Sequence, residues 1–165
     1  MRSAKLQLEN YFVEELYFQL QQSQELNINE PPKLKPSDLD VEIRLGERKE
    51  ETQKKLCHLI LNLKEEVKKT FPYDFRISII GFFEIDSSCL EDEVNLLLKT
   101  TAPSILFTAS RELLLTVTGR ARYFPLMLPT VVFLPNTKEQ KPDNTESKSK
   151  KENLKSKKTS TRKTK

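Results

Sequence analysis

Apolar and polar positions alternate along the beginning of the chain. Six apolar side chains share one parity over residues 5–21: Leu6, Leu8, Phe12, Leu16, Phe18 and Leu20. A period of two predicts a strand with one buried face. Asn10 and Glu14 interrupt that face, which favours a bulge or a bend beside them.

Two later segments show the same alternation. Residues 39–46 and 73–85 predict two further strands, the second rich in β-branched and aromatic residues. In that strand Gly81 keeps the buried parity without a side chain, which indicates a bulge or a close backbone approach. The polar segment 22–38 contains three prolines and is interpreted as a long connection.

The segment 54–68 fits two kinds of element. A helical stripe runs through Leu56, Leu59, Ile60, Leu63 and Val67, and a strand alternation runs equally well through the odd positions from 57 to 63. The Glu and Lys content favours a helix slightly. Periodicity alone leaves both interpretations open.

The second half of the chain has helical patterns. Ser88 and Glu91 have the spacing of a capping box, and Pro103 is expected to end a first helix after Ala102. A second helix is predicted over residues 104–118 and ends at Gly119. Strands followed by helices predict an α+β domain with an antiparallel sheet.

Residues 123–135, YFPLMLPTVVFLP, carry no charge and include three prolines. Each proline removes an amide donor, so neither a helix nor a central strand is expected. The segment is interpreted as an extended connection that is either covered by another element or lines a surface for apolar partners.

Charge divides the chain into two parts. The net charge is +4, but residues 136–165 contain 11 Lys or Arg against 4 Asp or Glu, which leaves residues 1–135 with a net charge of −3. The 136–165 tail has a single aliphatic residue, and we predict a disordered tail after a folded domain of residues 1–135. Because no aromatic residues are interleaved for stacking on bases, a solubilising role is favoured over nucleic-acid binding.

Signals for enzymatic chemistry are weak. His58 is the only histidine, and the three glycines form no phosphate-binding loop. We therefore expect no catalytic residues, no metal and no cofactor. Two cysteines in apolar surroundings favour free thiols in a reducing compartment. With no signal-peptide core and no long apolar run, a cytoplasmic location is expected.

The predicted strands also carry apolar residues on their second face. The alternation places five there: Tyr11, Val13, Tyr17, Ile80 and Phe82. Monomers rarely expose large apolar patches, so an oligomer is predicted.

The stretch APSILFTASRELLLTVTGRARYFPLMLPTVVF resembles the C-terminal half of SecB, the protein-export chaperone family. The matching positions include Ala102-Pro103, Ile105-Leu106-Phe107, Arg111-Glu112, Pro125-Leu126 and Leu128-Pro129. The resemblance implies a four-stranded antiparallel sheet with helices packed on one face, and residues 54–68 as the third strand. It further implies a homotetramer, built as a dimer of dimers, that holds unfolded preproteins and delivers them to the ATPase SecA.

The resemblance also implies a client groove lined by aliphatic and aromatic residues. The candidates are Phe18, Val41, Ile43, Leu45, Phe75, Ile77, Val117, Tyr123, Phe124, Leu126, Met127 and Leu128. Among the acidic SecA-docking positions, Glu15 is kept, whereas Gln19 and Arg76 replace carboxylates. An alternative function is a SecB-like chaperone dedicated to one client, such as an antitoxin of a toxin–antitoxin pair, without SecA. A third hypothesis is an adaptor or nucleic-acid-associated protein that acts through the basic tail.

Overall fold

The computed structural model describes residues 4–21, 30–48 and 51–135. The predicted disordered tail, residues 136–165, lies outside these ranges. Within them the strands are β1 (Leu6–Leu20), β2 (Leu39–Arg48), β3 (Glu51–Leu63) and β4 (Tyr73–Ile85), and the helices are α1 (Glu65–Lys68) and α2 (Glu91–Thr118). A 3-10 turn, Pro36–Asp38, precedes β2.

All strand pairs are antiparallel, in the order β1-β4-β3-β2. The prediction of a four-stranded antiparallel sheet with helical packing on one face is confirmed. β3 and β4 are the central strands, whereas β1 and β2 form the two edges. The core lies between α2 and the central strands, where α2 buries Leu98, Ala102, Leu106, Phe107 and Leu114.

The burial of side chains on both faces of β3 explains why its sequence fits both a helical and a strand pattern. Leu59 faces α2 and is buried, and Ile60 on the opposite face is buried as well. A strand covered on both faces is apolar at both parities, so the period of two is lost. Strand is the correct assignment as far as Leu63, but the end of the predicted 54–68 strand is wrong, because Glu65–Lys68 forms the short helix α1.

Two irregularities in β1 change the face on which its side chains lie. The pairing with β4 shifts between Leu8 and Asn10 and again between Val13 and Glu15. Each shift inserts one extra residue and reverses the parity that follows. The predicted bulge is therefore present. However, Phe12 was expected on the face of Leu6, and it instead pairs with Ile80 on the face away from α2.

The same shifts change the assignment of two residues of the predicted second face, Tyr11 and Val13. Tyr11 pairs with Gly81 and Val13 with Ile79, so both lie on the α2 side of the sheet, contrary to the prediction. Tyr17 lies on the face away from α2, as predicted, because it pairs with Arg76. Two bulges between Leu6 and Tyr17 explain why a simple alternation fails for the residues between them.

The helical region is one continuous element. The expected break at Pro103 is wrong, because α2 runs from Glu91 to Thr118 with Pro103 buried inside it. A proline inside a helix costs about 3 kcal/mol. Burial of the neighbouring Leu98, Ala102 and Leu106 against the sheet offsets this cost.

The two ends of α2 differ in how well the sequence predicts them. The capping box is wrong: Leu90 is the N-cap residue, while the Ser88 amide donates to Oδ1 of Asp86 at 2.8 Å. The C-terminal end is as predicted. Gly119 is the C-cap residue, and its amide donates to the carbonyl of Leu115 at 2.9 Å.

Gly81 is the point at which α2 approaches the sheet most tightly. A Cβ atom there would lie 2.7 Å from Cδ2 of Leu106 and 2.9 Å from Cε2 of Phe83. Both side chains are fully buried and have little room to move. The predicted close approach is confirmed, and its partner is a helix side chain.

We expect Gly81→Ala to destabilise the protein by about 1–3 kcal/mol, because the new methyl group overpacks a filled core. Gly46→Ala is the matched control: its Cβ would meet Cδ2 of Leu56 at an ordinary 3.6 Å. The control is expected to change the free energy of unfolding by less than about 1 kcal/mol. Urea unfolding measures both, and equal effects would contradict the tight helix approach.

Candidate functional site

The apolar segment after α2 forms an extended element that we call the strap, residues 121–135. It contains no helix or strand. Leu126 and Leu128 point inward and are buried, and Phe133 is partly buried. The intervening side chains point outward: Met127 is 61 %, Val132 78 % and Leu134 75 % exposed. The strap therefore covers the core with one row of apolar side chains and presents another to solvent.

Side chains from the rest of the fold hold the strap by its main chain. The Tyr73 hydroxyl donates to the carbonyl of Phe124 at 2.6 Å. The Leu126 amide donates to Oγ1 of Thr118 at 2.8 Å. Farther along, Nη2 of Arg111 donates to the carbonyl of Pro129 at 2.8 Å. These three contacts fix the strap against β4 and the last two turns of α2.

Aromatic rings add to this attachment at the far end of the strap. Phe133 lies edge-on to Phe107 of α2, with ring centroids 5.9 Å apart. The guanidinium of Arg111 lies over the same Phe107 ring, 5.9 Å from its centroid. Stacking of this kind favours a fixed orientation of the arginine.

A ring cluster surrounds Tyr73 where β1, β4 and the strap meet. Its centroid lies 5.3 Å from Phe18, 5.8 Å from Tyr123 and 6.3 Å from Phe71. The Tyr123 hydroxyl reaches the carbonyl of Gln21, just beyond β1, at 3.2 Å. Burial, with a smaller effect of Tyr123, raises the pKa of Tyr73 to about 12. The Tyr73 hydroxyl thus keeps its proton at neutral pH and remains a donor to the strap.

The second apolar feature is a row along β1 on the α2 side, which we call the edge row: Tyr11, Val13, Leu16 and Leu20. These side chains are 36–41 % exposed, because α2 packs mainly on β3 and β4. Leu20 pairs with Tyr73, so the edge row reaches the ring cluster from which the strap departs. The edge row and the start of the strap therefore meet at this ring cluster, and each presents exposed apolar side chains.

The opposite sheet face mixes apolar and charged groups. Phe12 contacts Phe82, with ring centroids 5.9 Å apart. Glu15 and Arg76 form an ion pair across β1 and β4, with Oε2 and Nε 2.8 Å apart. Gln19 accepts a hydrogen bond from the Tyr17 hydroxyl. The docking positions expected from the SecB resemblance therefore combine here into a neutralised pair and an uncharged amide.

A polar cluster at the centre of this face does not have the geometry of a catalytic triad. Nε2 of His58 lies 2.6 Å from Oγ of Ser78 and 3.2 Å from Oε2 of Glu14. A relay needs the nucleophile and the carboxylate on opposite ring nitrogens, but here both approach the same nitrogen. The Ser78 hydroxyl also donates directly to Glu14 at 2.8 Å. The cluster anchors the second bulge of β1.

The Cys57 thiol is poorly suited to nucleophilic chemistry. Burial raises the pKa of the Cys57 thiol to about 12, which keeps it protonated and weakly nucleophilic. In the described part of the chain, no three His, Cys, Asp or Glu residues are grouped as metal ligands. Among the described helices, none has the length and apolar character needed to cross a bilayer.

Comparison with known proteins identifies the family. The model of the family described as preprotein translocase subunit SecB matches residues 1–141. The chain belongs to the SecB family. This membership, together with the SecB-like fold, supports a chaperone role.

Solved structures similar to this chain have low sequence identity, and the first one named here shows the same fold. One is a SecB-like chaperone of Mycobacterium tuberculosis in complex with a ChAD peptide from the HigA1 antitoxin, at 15 % identity and a TM-score of 0.53, covering 77 % of this chain and 91 % of that chain. Another is a protein of unknown function from Streptococcus agalactiae, at 19 % identity and a TM-score of 0.40, covering 78 % and 100 %. No curated protein sequence gives a significant match.

The residues expected to line a SecB-like groove fall into separate groups. Phe75, Ile77, Leu126 and Leu128 are buried in the core of the single chain. Phe18, Tyr123 and Phe124 come together around Tyr73, with Met127 exposed nearby on the strap.

The remaining predicted groove residues lie elsewhere. Val41, Ile43 and Leu45 lie on the α2 side of β2, the opposite edge of the sheet, and are separated from β1 by both central strands. Val117 is partly buried near the end of α2. The single chain therefore presents two edges, and the predicted residues do not form one continuous groove within it.

Sequence reasoning missed the edge row and Tyr73 as parts of the site. The edge row was hidden by the two bulges, since alternation assigned Tyr11 and Val13 to the other face. Asn10 and Glu14, polar residues on an otherwise apolar parity, were the available signal. Nothing in the sequence shows that the Tyr73 hydroxyl binds a carbonyl 51 residues away.

The inward and outward rows of the strap give a direct test. Leu126→Ala removes a fully buried side chain and is expected to cost about 2–5 kcal/mol in the free energy of unfolding. The neighbouring Met127→Ala, at an exposed position, is expected to change it by less than about 0.5 kcal/mol. Chemical denaturation measures both values. A larger loss for Met127→Ala would show that the strap faces the other way.

Proposed function

We propose that the protein is a holdase, a chaperone that binds unfolded polypeptides without ATP and prevents their aggregation. Its clients are unfolded preproteins, which it keeps competent for export by the Sec translocase. The observation that carries this proposal is the apolar surface formed by the edge row and the outward row of the strap. A folded protein that exposes such a surface has apolar area available for segments that an unfolded client also exposes.

The size of each contact suits reversible holding. Covering the exposed part of one edge-row side chain contributes roughly 1–2 kcal/mol. Ordering the client and losing its freedom of motion cost several kcal/mol, so a single contact is too weak to hold a client. Several contacts made together, and several chains in an assembly, give useful affinity through effective concentration. The resemblance to SecB supports assembly as a homotetramer in the cytoplasm.

The surface also lacks features that would restrict it to one ligand. Its side chains are aliphatic or aromatic, and the edge row lies on β1, an edge strand of the sheet. Met127, at the centre of the strap, has a flexible side chain that adapts to different partners. Contacts of this kind favour apolar composition in the client over a specific sequence.

The holdase proposal is tested by light scattering of a chemically denatured protein diluted into buffer without ATP. The wild-type chain should suppress aggregation. The double variant Val13→Ser with Leu16→Ser should bind the client about tenfold more weakly or worse, because two edge-row contacts are lost.

Phe12→Ser is the matched control for this experiment. Phe12 is 46 % exposed, against 41 % for Leu16, and lies on the same strand but on the opposite face. It should leave suppression unchanged. Equal losses in both variants would place client binding elsewhere, and no suppression by the wild type would refute the holdase proposal.

A second candidate function is a chaperone dedicated to one client, such as an antitoxin, without delivery to SecA. The ion pair between Glu15 and Arg76 favours it, since it neutralises the docking carboxylate that the SecB resemblance identifies. The fold relative bound to an antitoxin peptide is consistent with this candidate. The two candidates share the same apolar surface and differ in whether SecA binds the opposite face.

Arg76→Glu separates them. Removing the cation frees Glu15 and adds a second carboxylate, which should strengthen binding to SecA at low salt if this face docks it. Lys99→Glu on exposed α2 changes the net charge equally and serves as the control. Binding measured by surface plasmon resonance should rise several-fold for Arg76→Glu only. No difference between the variants would exclude this face as the docking site and favour the dedicated chaperone.

A further inference from the structure

The strap has an unusual source of order. Neighbouring strands normally fix the position of an extended segment through main-chain hydrogen bonds. Beyond Ala121, whose amide donates to the Thr118 carbonyl, the strap's main chain is bound by three side chains: Tyr73 from β4, and Thr118 and Arg111 from α2. They bind the Phe124 carbonyl, the Leu126 amide and the Pro129 carbonyl.

Hydrophobic burial alone does not determine which side of the strap faces the core. Side chains alternate between inside and outside within each part of the strap, with the parity changing between Leu128 and Val131, so a shift by one residue exchanges the two sets. Both sets are apolar: Leu126 and Leu128 lie inside, and Met127, Val132 and Leu134 lie outside. Because the shifted arrangement would also bury large aliphatic groups, the polar contacts contribute to the difference in free energy between the two arrangements.

Two of the three contacts are well placed to do so. Tyr73 and Thr118 are fully buried, so a strap that lost them would leave polar groups without partners in the core. Oγ1 of Thr118 donates to the Leu114 carbonyl at 2.6 Å and accepts from Leu126, so both of its hydrogen-bonding roles are used. A shift by one residue would present a carbonyl or a side chain where the Leu126 amide now lies.

We infer that Tyr73, Thr118 and Arg111 are positioning residues that fix the register of the strap and thereby select Met127, Val132 and Leu134 as the row offered to clients. The inference rests on the proposed holdase function for its client part, whereas the register itself is independent of that function. Tyr73, Thr118 and Arg111 thus determine which strap side chains are exposed to clients, although they do not belong to the exposed row themselves.

The test uses thiol labelling to measure the register. In a Cys89→Ser background, with Cys57 buried, single cysteines are introduced as Met127→Cys or Leu128→Cys. The Met127→Cys thiol should react with a maleimide at least tenfold faster than the Leu128→Cys thiol. Adding Thr118→Val or Tyr73→Phe, each of which keeps the shape of the side chain, should reduce this ratio at least threefold.

Client affinity is measured on the same positioning variants without the introduced cysteines. A fluorescent, permanently unfolded polypeptide serves as the probe, and its anisotropy reports binding. Thr118→Val and Tyr73→Phe should each weaken binding at least threefold at a temperature where circular dichroism shows an intact fold. Thr116→Val, an exposed threonine on the same helix, is the control and should leave both readouts unchanged. If Thr118→Val does not fold, Tyr73→Phe decides the result.

Three outcomes contradict the inference or its basis in distinguishable ways. An unchanged labelling ratio in both variants would overturn the role in register. A reduced ratio with client affinity unchanged within twofold would overturn the link between register and client binding. Failure of the wild-type chain to bind the polypeptide would overturn the proposed function and with it the client part, and the labelling ratio would still decide the register.

Discussion

One helix is too narrow to cover a four-stranded sheet, and this limit determines which apolar residues of the molecule remain exposed. Strands in a sheet are spaced by about 4.8 Å, and a helix with its side chains is about 10 Å across. α2 therefore covers the two central strands and leaves both edges incompletely covered. The edge row of β1 remains accessible for this geometric reason, and the strap covers only part of what α2 leaves open.

Packing between α2 and the central strands is correspondingly tight. Gly81 admits Leu106 into the space that a side chain would occupy, and the surrounding residues are buried on both elements. The stable part of the fold is thus concentrated in β3, β4 and α2. The surface proposed to bind clients is built from the periphery, where a single edge strand and the strap have one side exposed. The residues that stabilise the fold and the residues proposed to bind clients therefore lie in different parts of the structure.

Sequence patterns predicted the parts of the fold that depend on local periodicity. β4 was clear because one of its faces is buried along its whole length, and the C-terminal end of α2 was clear because Gly119 follows the last turn. The helix break predicted at Pro103 was wrong. The free-energy cost of a proline in a helix is a local effect that the sequence shows, whereas the burial of its neighbours against the sheet is a tertiary effect that it does not show. β3 was ambiguous in sequence because both of its faces are covered.

The candidate site was harder to predict than the fold. The lack of charge and the three prolines of residues 123–135 drew attention to the strap, but four of the groove residues that the resemblance to SecB implies are core in the single chain. The face on which each residue of β1 lies depends on how many bulges precede it. The apolar–polar alternation of the sequence does not reveal that number. The contacts of Tyr73, Thr118 and Arg111 with the strap join residues that a sequence pattern does not connect.

The bulges of β1 also bear on a hazard that any protein with an exposed, apolar edge faces. A flat edge strand is a template on which further strands can add without limit, as in amyloid fibrils. The two interruptions of β1 lie beside Glu9 and Glu14, and they distort the ladder and place carboxylates along it. Both features oppose the addition of further strands to this edge.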